Sequence, residues 1–299
     1  MNYSKILVIG ASGLLGKALY NEFVKDYKVR GTYLKRKKSG FVKLDIRNKK
    51  EVQKLFAEIK PDIVFQPAAE PHVDLCEKEK VLTYATNVAG TKNVVESCLA
   101  ANAKLVYFSS DYVFDGKSGP YKETDKPNPV SEYGRQKAEC ESIVKEKLKD
   151  YIIVRMTAVF GYDADSSNFV MQMIKTLNDK ETRKVPVDQY SNPTYVRDIA
   201  IACRALIEGN KRGVYNLAGD ENINRCEFAA MIADVFGFDK SLIIPVKTSG
   251  LGQIAKRPLN CGLYNGKIKK DIKIKFHTIM GALHEIKNEA IKQIRSYKP

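Results

Sequence analysis

Tyr133 and Lys137, in the run YGRQK (133–137), stand four residues apart in a stretch with helical patterning. That spacing puts both on one helical face. A phenol with an ordinary pKa of about 10 is a poor proton shuttle at neutral pH. A neighbouring ammonium stabilises the phenolate and is expected to lower that pKa toward the working range. Upstream, the apolar run KLVYFSS (104–110) ends on Ser109 and Ser110, followed by Asp111 and Tyr112. Ser110 can donate a hydrogen bond to a carbonyl oxygen. The three side chains Ser110, Tyr133 and Lys137 are therefore expected to reduce a ketone, with Tyr133 protonating the oxygen as a hydride reaches the carbon. A lone Y-x-x-x-K occurs by chance on many helices, so its weight depends on what positions it.

The positioning elements follow a regular rhythm. Apolar runs at KILVI (5–9), KVRGTY (28–33), FVKLD (41–45), DIVFQ (62–66), KLVYFSS (104–110) and YIIVRM (151–156) alternate with helical patterns. Those patterns lie near 14–24, 48–59, 77–101 and 131–148. Continuous apolar strands alternating with helices predict a parallel sheet covered on both faces, an α/β fold of the doubly wound Rossmann type. Beyond Gly161 the rhythm loosens, with further helical patterns at 196–208, 224–237 and 277–295 and a strand at 213–218. The expected division is a dinucleotide-binding body at 1–160 plus 196–217 and a smaller substrate-binding lobe at 161–195 plus 218–299.

The first strand runs into Gly10-Ala11-Ser12-Gly13-Leu14-Leu15-Gly16. Glycines between a strand and a helix permit a tight turn, a close backbone approach to a pyrophosphate and close helix–sheet packing. The helix N-terminus adds a favourable dipole and unpaired N–H donors. An enzyme using NAD would usually carry an acid at the end of the second strand to hold the ribose 2′-OH. Here that stretch holds Lys35, Arg36, Lys37 and Lys38 and no carboxylate. Cations there suit a 2′-phosphate, so NADP(H) is expected, with Arg36 the leading contact and Lys35 beside it. Asp45 is expected to reach the adenine amine, with Ile46 packed beside the ring.

The ordered motifs GASGLLG (10–16), PAA (67–69), SSDYVFDG (109–116), PYKETDKPNP (120–129) and YGRQK (133–137) resemble an extended short-chain dehydrogenase/reductase. Within that superfamily the chain is most similar to the dTDP-4-dehydrorhamnose reductase family, and the likeness runs along nearly its whole length. Asp188-Gln189-Tyr190-Ser191-Asn192-Pro193-Thr194 and Arg257-Pro258-Leu259-Asn260 resemble that family's substrate-lobe motifs. The resemblance implies NADPH-dependent reduction of a 4-keto nucleotide sugar, as in formation of dTDP-L-rhamnose. It implies that Ser110, Tyr133 and Lys137 are catalytic, Lys137 also holding the nicotinamide ribose. Ala68, Ala69 and Ser109 would line the cofactor, Asp111, Tyr112 and Gln189 would face the sugar nucleotide, and Arg257 would meet its diphosphate. Two departures fall on the sugar side. The family's sugar-packing Trp after the strand ending VRMTAVFG (154–161) is absent, Ala158 standing in that neighbourhood of a chain with no Trp. The loop after the alanine pair reads Glu70-Pro71-His72-Val73-Asp74 where the family favours a small hydroxyl residue. The same family includes the regulatory β-subunit of methionine adenosyltransferase, which also shares SSDYVFDG and lacks the Trp. A regulatory role, or a ketoreductase or epimerase acting on another nucleotide sugar, therefore stays open beside the reductase reading.

Composition bounds the rest. Fifty Lys and Arg against 35 Asp and Glu give a net charge of +15. Eleven basic and three acidic residues fall within 256–299. No zinc-finger or RNA-recognition signature accompanies that charge, so an anionic cofactor and substrate are expected rather than nucleic acid. No apolar run reaches the ~18–20 residues of a membrane span, and the start enters a strand too early for a signal peptide. A cytoplasmic protein is expected, with a homodimer left open. The six cysteines are scattered without CxxC pairs, so neither disulfides nor zinc are expected. His277 and His284 are expected on the surface or in packing, and His72 near the pocket. No metal-ligand spacing is present.

Overall fold

A computed structural model describes residues 5–296; residues 1–4 and 297–299, which end the two expected units, lie outside the described residues. Seven parallel strands form the central sheet. In chain order they begin with β1 (Lys5–Val8), β2 (Lys28–Tyr33), β3 (Val42–Lys43), β4 (Ile63–Gln66), β5 (Lys104–Ser110) and β6 (Tyr151–Met156). The short β7 (Val159–Phe160), β8 (Arg183–Pro186), β9 (Tyr190–Ser191) and β10 (Thr194–Tyr195) follow, then β11 (Gly213–Leu217), β12 (Ile223–Asn224) and β13 (Ile243–Val246). The spatial order β11-β6-β5-β4-β1-β2-β3 reverses between β1 and β4. Ligands of doubly wound sheets bind at such a reversal, beyond the carboxyl ends of the strands. The expected α/β doubly wound fold is what the chain adopts.

The apolar strands are buried because helices cover both faces. On one face Ile6, Val8, Val106 and Phe108 pack against Leu19 and Phe23 of α1 (Leu14–Phe23) and Ile199 and Leu206 of α8 (Val196–Glu208). On the other, Leu7, Val64, Leu105 and Tyr107 meet α2 (Lys49–Ile59), α5 (Gly90–Ala101) and α6 (Glu132–Lys147). Alternation of side chains along each strand divides them between these layers.

The helix expected over 77–101 is broken. It consists of α3 (Val73–Lys78), α4 (Lys80–Tyr84), a π-helical turn at Ala85–Ala89 and then α5. Glu79, at φ −114° and ψ 57°, separates the first two pieces. A π turn leaves backbone groups off the regular i→i−4 ladder and is common at functional sites.

A third core lies outside the sheet. It joins α7 (Phe169–Asn178), α9 (Arg225–Phe236) and α11 (Ile279–Ser296) around Met173, Phe228, Ile232, Leu283 and Ile286. Strands β8 and β13 pair in parallel beside it. Asn224 and Glu227 close α9 with reciprocal capping hydrogen bonds, and Gly237 ends it in the left-handed region,. Helix α10 (Gly266–Ile272) differs from its chain neighbours. Its Ile268, with Phe276, is buried in the core of the sheet.

His277 is not on the final helix, as its periodicity suggested, but just before it. Its Nδ1 lies 2.6 Å from Asp198 Oδ1 and its Nε2 3.3 Å from Glu285 Oε1. Those carboxylates raise the His277 pKa against the opposing effect of burial, and the imidazole ties α11 to α8.

Candidate active site

The loop after β1 is shaped by close backbone contact. Gly10 has φ +89°, and a Cβ there would lie 3.0 Å from the Ala68 Cβ. A Cβ on Gly16 would stand 2.1 Å from the Gly10 carbonyl oxygen and 2.7 Å from Ala11 Cα. Both glycines are required by the protein itself. Gly13 is different: its φ is −85°, and a Cβ would meet only the Gly10 oxygen at 3.6 Å. The protein leaves room at Gly13, which suits close approach of a ligand. No side chain caps α1 and no acid stands in its first turn, so the N–H groups of Leu14, Leu15 and Gly16 keep the character that attracts phosphate. This cradle fits a dinucleotide pyrophosphate. Ala68, whose N–H donates to the Ile9 carbonyl, brings the PAA loop against it.

The side chains expected at the adenosine end are already engaged. Asp45 takes a fork of hydrogen bonds from Arg47, at 2.9 Å from Nε and 2.6 Å from Nη2. These bonds hold its carboxyl below the usual range. The Ile46 side chain is buried against Gly90. Lys35, Arg36, Lys37 and Lys38 are exposed, but Arg36 lies 3.6 Å from Asp163, an acid from beyond β7 that also faces Lys17 at 3.9 Å. Asp163 is 6% exposed, and its place beside the cationic strip was not legible in the sequence.

Ser110, Tyr133 and Lys137 do come together at the carboxyl end of β5. Ser131 caps α6 by accepting from the Gly134 N–H, and a Cβ on Gly134 would sit 2.1 Å from the Tyr112 carbonyl oxygen. The start of α6 is thereby pressed onto the SDYV turn. Ser110 acts on the Tyr133 phenol, opposing the effect of burial, and the Tyr133 ring meets that of Tyr112 edge-on at 5.8 Å between centroids. The Ser110 hydroxyl donates to Asp111 Oδ1 at 2.9 Å.

The electrostatics depart from the simple tyrosine–lysine picture. Lys137 is 5% exposed and donates to the Phe108 carbonyl at 2.8 Å. Its Nζ stands 5.8 Å from the Tyr133 ring centroid. Burial pulls the Lys137 pKa down to about 8, while burial pushes the Tyr133 phenol above its ordinary value, with the nearby Ser110 opposing. The expected lowering of Tyr133 by Lys137 is thus absent in this arrangement, because desolvation is the largest effect on the phenol. The consequence suits a reduction: the phenol is fully protonated and ready to donate. Burial also pushes Asp111 up to about 6 and Tyr112 up to about 12.

Several supporting residues were not singled out in the sequence. Asn87, in the π turn, accepts from the Glu70 N–H at 2.7 Å and donates to the Glu70 carbonyl and to Gln136 Oε1. Gln136 in turn donates to Thr83. This buried chain fixes the loop after the alanine pair relative to α6. Ser109, expected against the cofactor, turns its hydroxyl to Glu141 at 2.7 Å, and Glu141 pairs with fully buried Arg155 at 2.7 Å. Burial alone would raise the Glu141 carboxyl, but the Arg155 bonds hold it below its usual range.

On the lobe side, Arg257 forms a 2.9 Å ion pair with Asp74, in the first turn of α3. Gln189 donates to Thr248 and Gln253. His72 is exposed and contacts Glu70 at 2.5 Å. Ala158 has φ +42°, an uncommon backbone for a residue with a Cβ, at the position where the family's aromatic residue is missing. Among the described residues no group of three or more His, Cys, Asp or Glu side chains could hold a metal, and no helix is long and apolar enough to cross a membrane.

A Rossmann sheet with a glycine cradle at its reversal point and a Ser–Tyr–Lys set beyond β5 defines the extended short-chain dehydrogenase/reductase class. The family described as RmlD substrate binding domain matches residues 4–291, and the chain belongs to it. A dTDP-4-dehydrorhamnose reductase from Aggregatibacter actinomycetemcomitans is 32% identical over 98% of this chain and 99% of its own length. Methionine adenosyltransferase 2 subunit beta of Xenopus tropicalis is 31% identical, covering 89% of this chain and 82% of that protein. Among solved structures, the dTDP-4-dehydrorhamnose reductase of Bacillus anthracis in complex with NADP superposes with a TM-score of 0.88. It is 31% identical and covers 96% of this chain and 99% of its own.

Proposed function

We propose that this chain is an NADPH-dependent reductase of the 4-keto group of a nucleotide-linked deoxysugar, of the dTDP-4-dehydrorhamnose type. The observation that carries the reading is the Ser110–Tyr133–Lys137 set, assembled beside a glycine cradle that leaves space at Gly13. The sheet body, 1–160 plus 196–217, would hold the cofactor through Gly10, Ser12, Gly13, Leu14, Leu15 and Gly16, with Ala68 and Ala69 beside it. The lobe, 161–195 plus 218–299, would hold the sugar nucleotide. NADPH when bound supplies the hydride. Ser110 and Tyr133 orient the ketone oxygen by hydrogen bonds, and Tyr133 gives it a proton. The buried Lys137 ammonium then stabilises the phenolate, which is costly to leave uncompensated in a dry site. The direct test is isotopic: deuterium carried on the NADPH nicotinamide should appear at the sugar's former carbonyl carbon, and product without deuterium there would exclude hydride transfer from the cofactor.

Lys137 sets an expected pH dependence. It is charged below its pKa of about 8 and loses that charge as pH rises through it. The free-enzyme parameter kcat/KM should therefore fall above about pH 8. In Lys137→Met the residual activity should lack this limb; a limb that persists would place the titration elsewhere.

The two kinds of glycine also separate. Gly16→Ala should destabilise the fold by about 2 kcal/mol or more, since its Cβ meets backbone. Gly13→Ala should melt like the parent yet bind NADPH about tenfold or more weakly. Melting curves and fluorescence titration would check both, and equal losses in the two variants would contradict the distinction.

For the preference between cofactors, Arg36→Ala should weaken NADPH more than NADH in direct titrations. Its ion pair with Asp163 must be exchanged for one with a 2′-phosphate, so equal weakening of both would show the arginine to be structural.

A second reading has a specific support. The 31% identity to methionine adenosyltransferase 2 subunit beta favours a chain that keeps the dinucleotide fold and acts on a methionine adenosyltransferase as a regulatory subunit. Copurification with that enzyme, with no turnover of nucleotide sugars, is the result that reading predicts.

A further inference from the structure

The expected diphosphate contact, Arg257, is already neutralised by Asp74 at 2.9 Å. Two other arginines are not. Arg183 on β8 and Arg225 at the start of α9 are both half-buried. Among the described residues neither has a carboxylate within ion-pairing distance. Helix α7 braces the pair from one face. Phe169 lies under the Arg225 guanidinium, 4.8 Å from its carbon to the ring centroid. One turn along, Gln172 Oε1 accepts from Arg183 Nη2 at 2.6 Å. Stacking on a ring fixes the guanidinium plane while leaving its N–H edge available. The Arg225 N–H donates to the Gln189 carbonyl, joining the pair to the DQYSNPT segment.

The pair is also electrostatically connected to the catalytic end. The charge of Arg225 acts on Asp111 and on Tyr112, and Tyr112 feels Arg257 as well. Arg225 further disfavours the charged form of Arg183, on top of the larger effect of burial. Two cations braced on one helix and half out of water, with no acid paired to either among the described residues, are relieved by an oxyanion. A fork of N–H donors suits phosphate in particular.

We propose that Arg183 and Arg225, braced by Phe169 and Gln172, form an oxyanion-binding subsite of the substrate lobe that takes the phosphate groups of a nucleotide-linked substrate. Arg257 then serves to hold the start of α3, which bears Asp74, against residues 255–257, where the Ala255 N–H also donates to Asp74. The absence of an acid beside Arg225 is what separates it from Arg257.

This inference rests on the substrate being nucleotide-linked, and its test is independent of turnover. The protein is first saturated with NADPH, so that the glycine cradle is filled, and binding of inorganic pyrophosphate and of dTDP is measured by calorimetry. The parent should bind both. Arg183→Gln and Arg225→Gln should each weaken pyrophosphate binding about tenfold or more, as loss of charged hydrogen bonds predicts. Their NADPH affinity and melting temperature should stay at the parent values, and Arg257→Gln should have the smaller effect on pyrophosphate. The subsite is overturned if the NADPH-saturated parent binds neither probe or if only Arg257→Gln loses pyrophosphate. It is also overturned if Arg225→Gln loses NADPH and stability together with pyrophosphate. If no nucleotide sugar is reduced and the two variants still lose pyrophosphate, the subsite stands and the reductase reading fails.

Discussion

Replacing Tyr133 by phenylalanine is expected to lower kcat for ketone reduction by about a hundred- to ten-thousandfold, the usual contribution of a positioned general acid, while leaving NADPH binding nearly unchanged. The substitution removes one oxygen and keeps the ring that packs edge-on against Tyr112. What is lost is the proton that burial keeps on the phenol. Ser110 still has Asp111 as an acceptor at 2.9 Å, so the loop has little reason to rearrange. Steady-state rates together with a fluorescence titration of NADPH separate the possibilities. A variant that loses cofactor binding in step with its rate would make Tyr133 a structural residue.

Arg155→Met should destabilise the folded chain by about 3–5 kcal/mol, because it leaves a buried carboxylate without its counter-charge. Arg155 and Glu141 each have side chains 1% exposed. Glu141 is also the acceptor for Ser109 at the end of β5, and the remaining cation on it, Lys145, is more than a third exposed. In a chain of this size such a loss moves the melting temperature by on the order of ten degrees. The double variant Arg155→Met with Glu141→Leu should recover most of it, since both charges are then removed together. Thermal and denaturant unfolding of the single and double variants would measure this, and a single variant that melts like the parent would contradict the assignment of the pair as a buried support of the β5–α6 junction.

Parts of this architecture are legible in the sequence because they depend on local pattern. KVRGTY, KLVYFSS and YIIVRM are strands over the expected residues, and VRDIAIACRALIE forms α8 over the expected span. Apolar continuity and helical periodicity decide those elements regardless of context. The break of the 77–101 helix at Glu79 and Ala85–Ala89 carries no comparable signal, because weak helix formers such as Thr86, Asn87 and Gly90 are tolerated within many helices. Its explanation is tertiary: Asn87 turns inward to hold the Glu70 backbone and Gln136. Helix α7 does carry a local signal, with Val170, Met173 and Leu177 at helical spacing on its buried face.

The candidate site divides in the same manner. Ser110, Tyr133 and Lys137 could be chosen from residue type and spacing. Their protonation could not, because the dominant effect is burial, which depends on the whole fold. The partners that already engage Arg36, Asp45 and Ser109 show the same limit. Asp163 and Glu141 are distant in sequence from the residues they bind, and Arg47 forks onto Asp45 through a geometry that spacing alone does not specify. The unpaired state of Arg183 and Arg225 is legible only once every nearby carboxylate has a position.

Reduction of a nucleotide-linked 4-keto sugar with NADPH is tested most directly by oxidation of NADPH by the purified chain across a panel of such sugars. The parent protein should turn over at least one of them, and Tyr133→Phe should do so about a hundred- to ten-thousandfold more slowly. No oxidation with any sugar, from a protein that binds NADPH and copurifies with a methionine adenosyltransferase, would contradict it and leave the regulatory reading in its place.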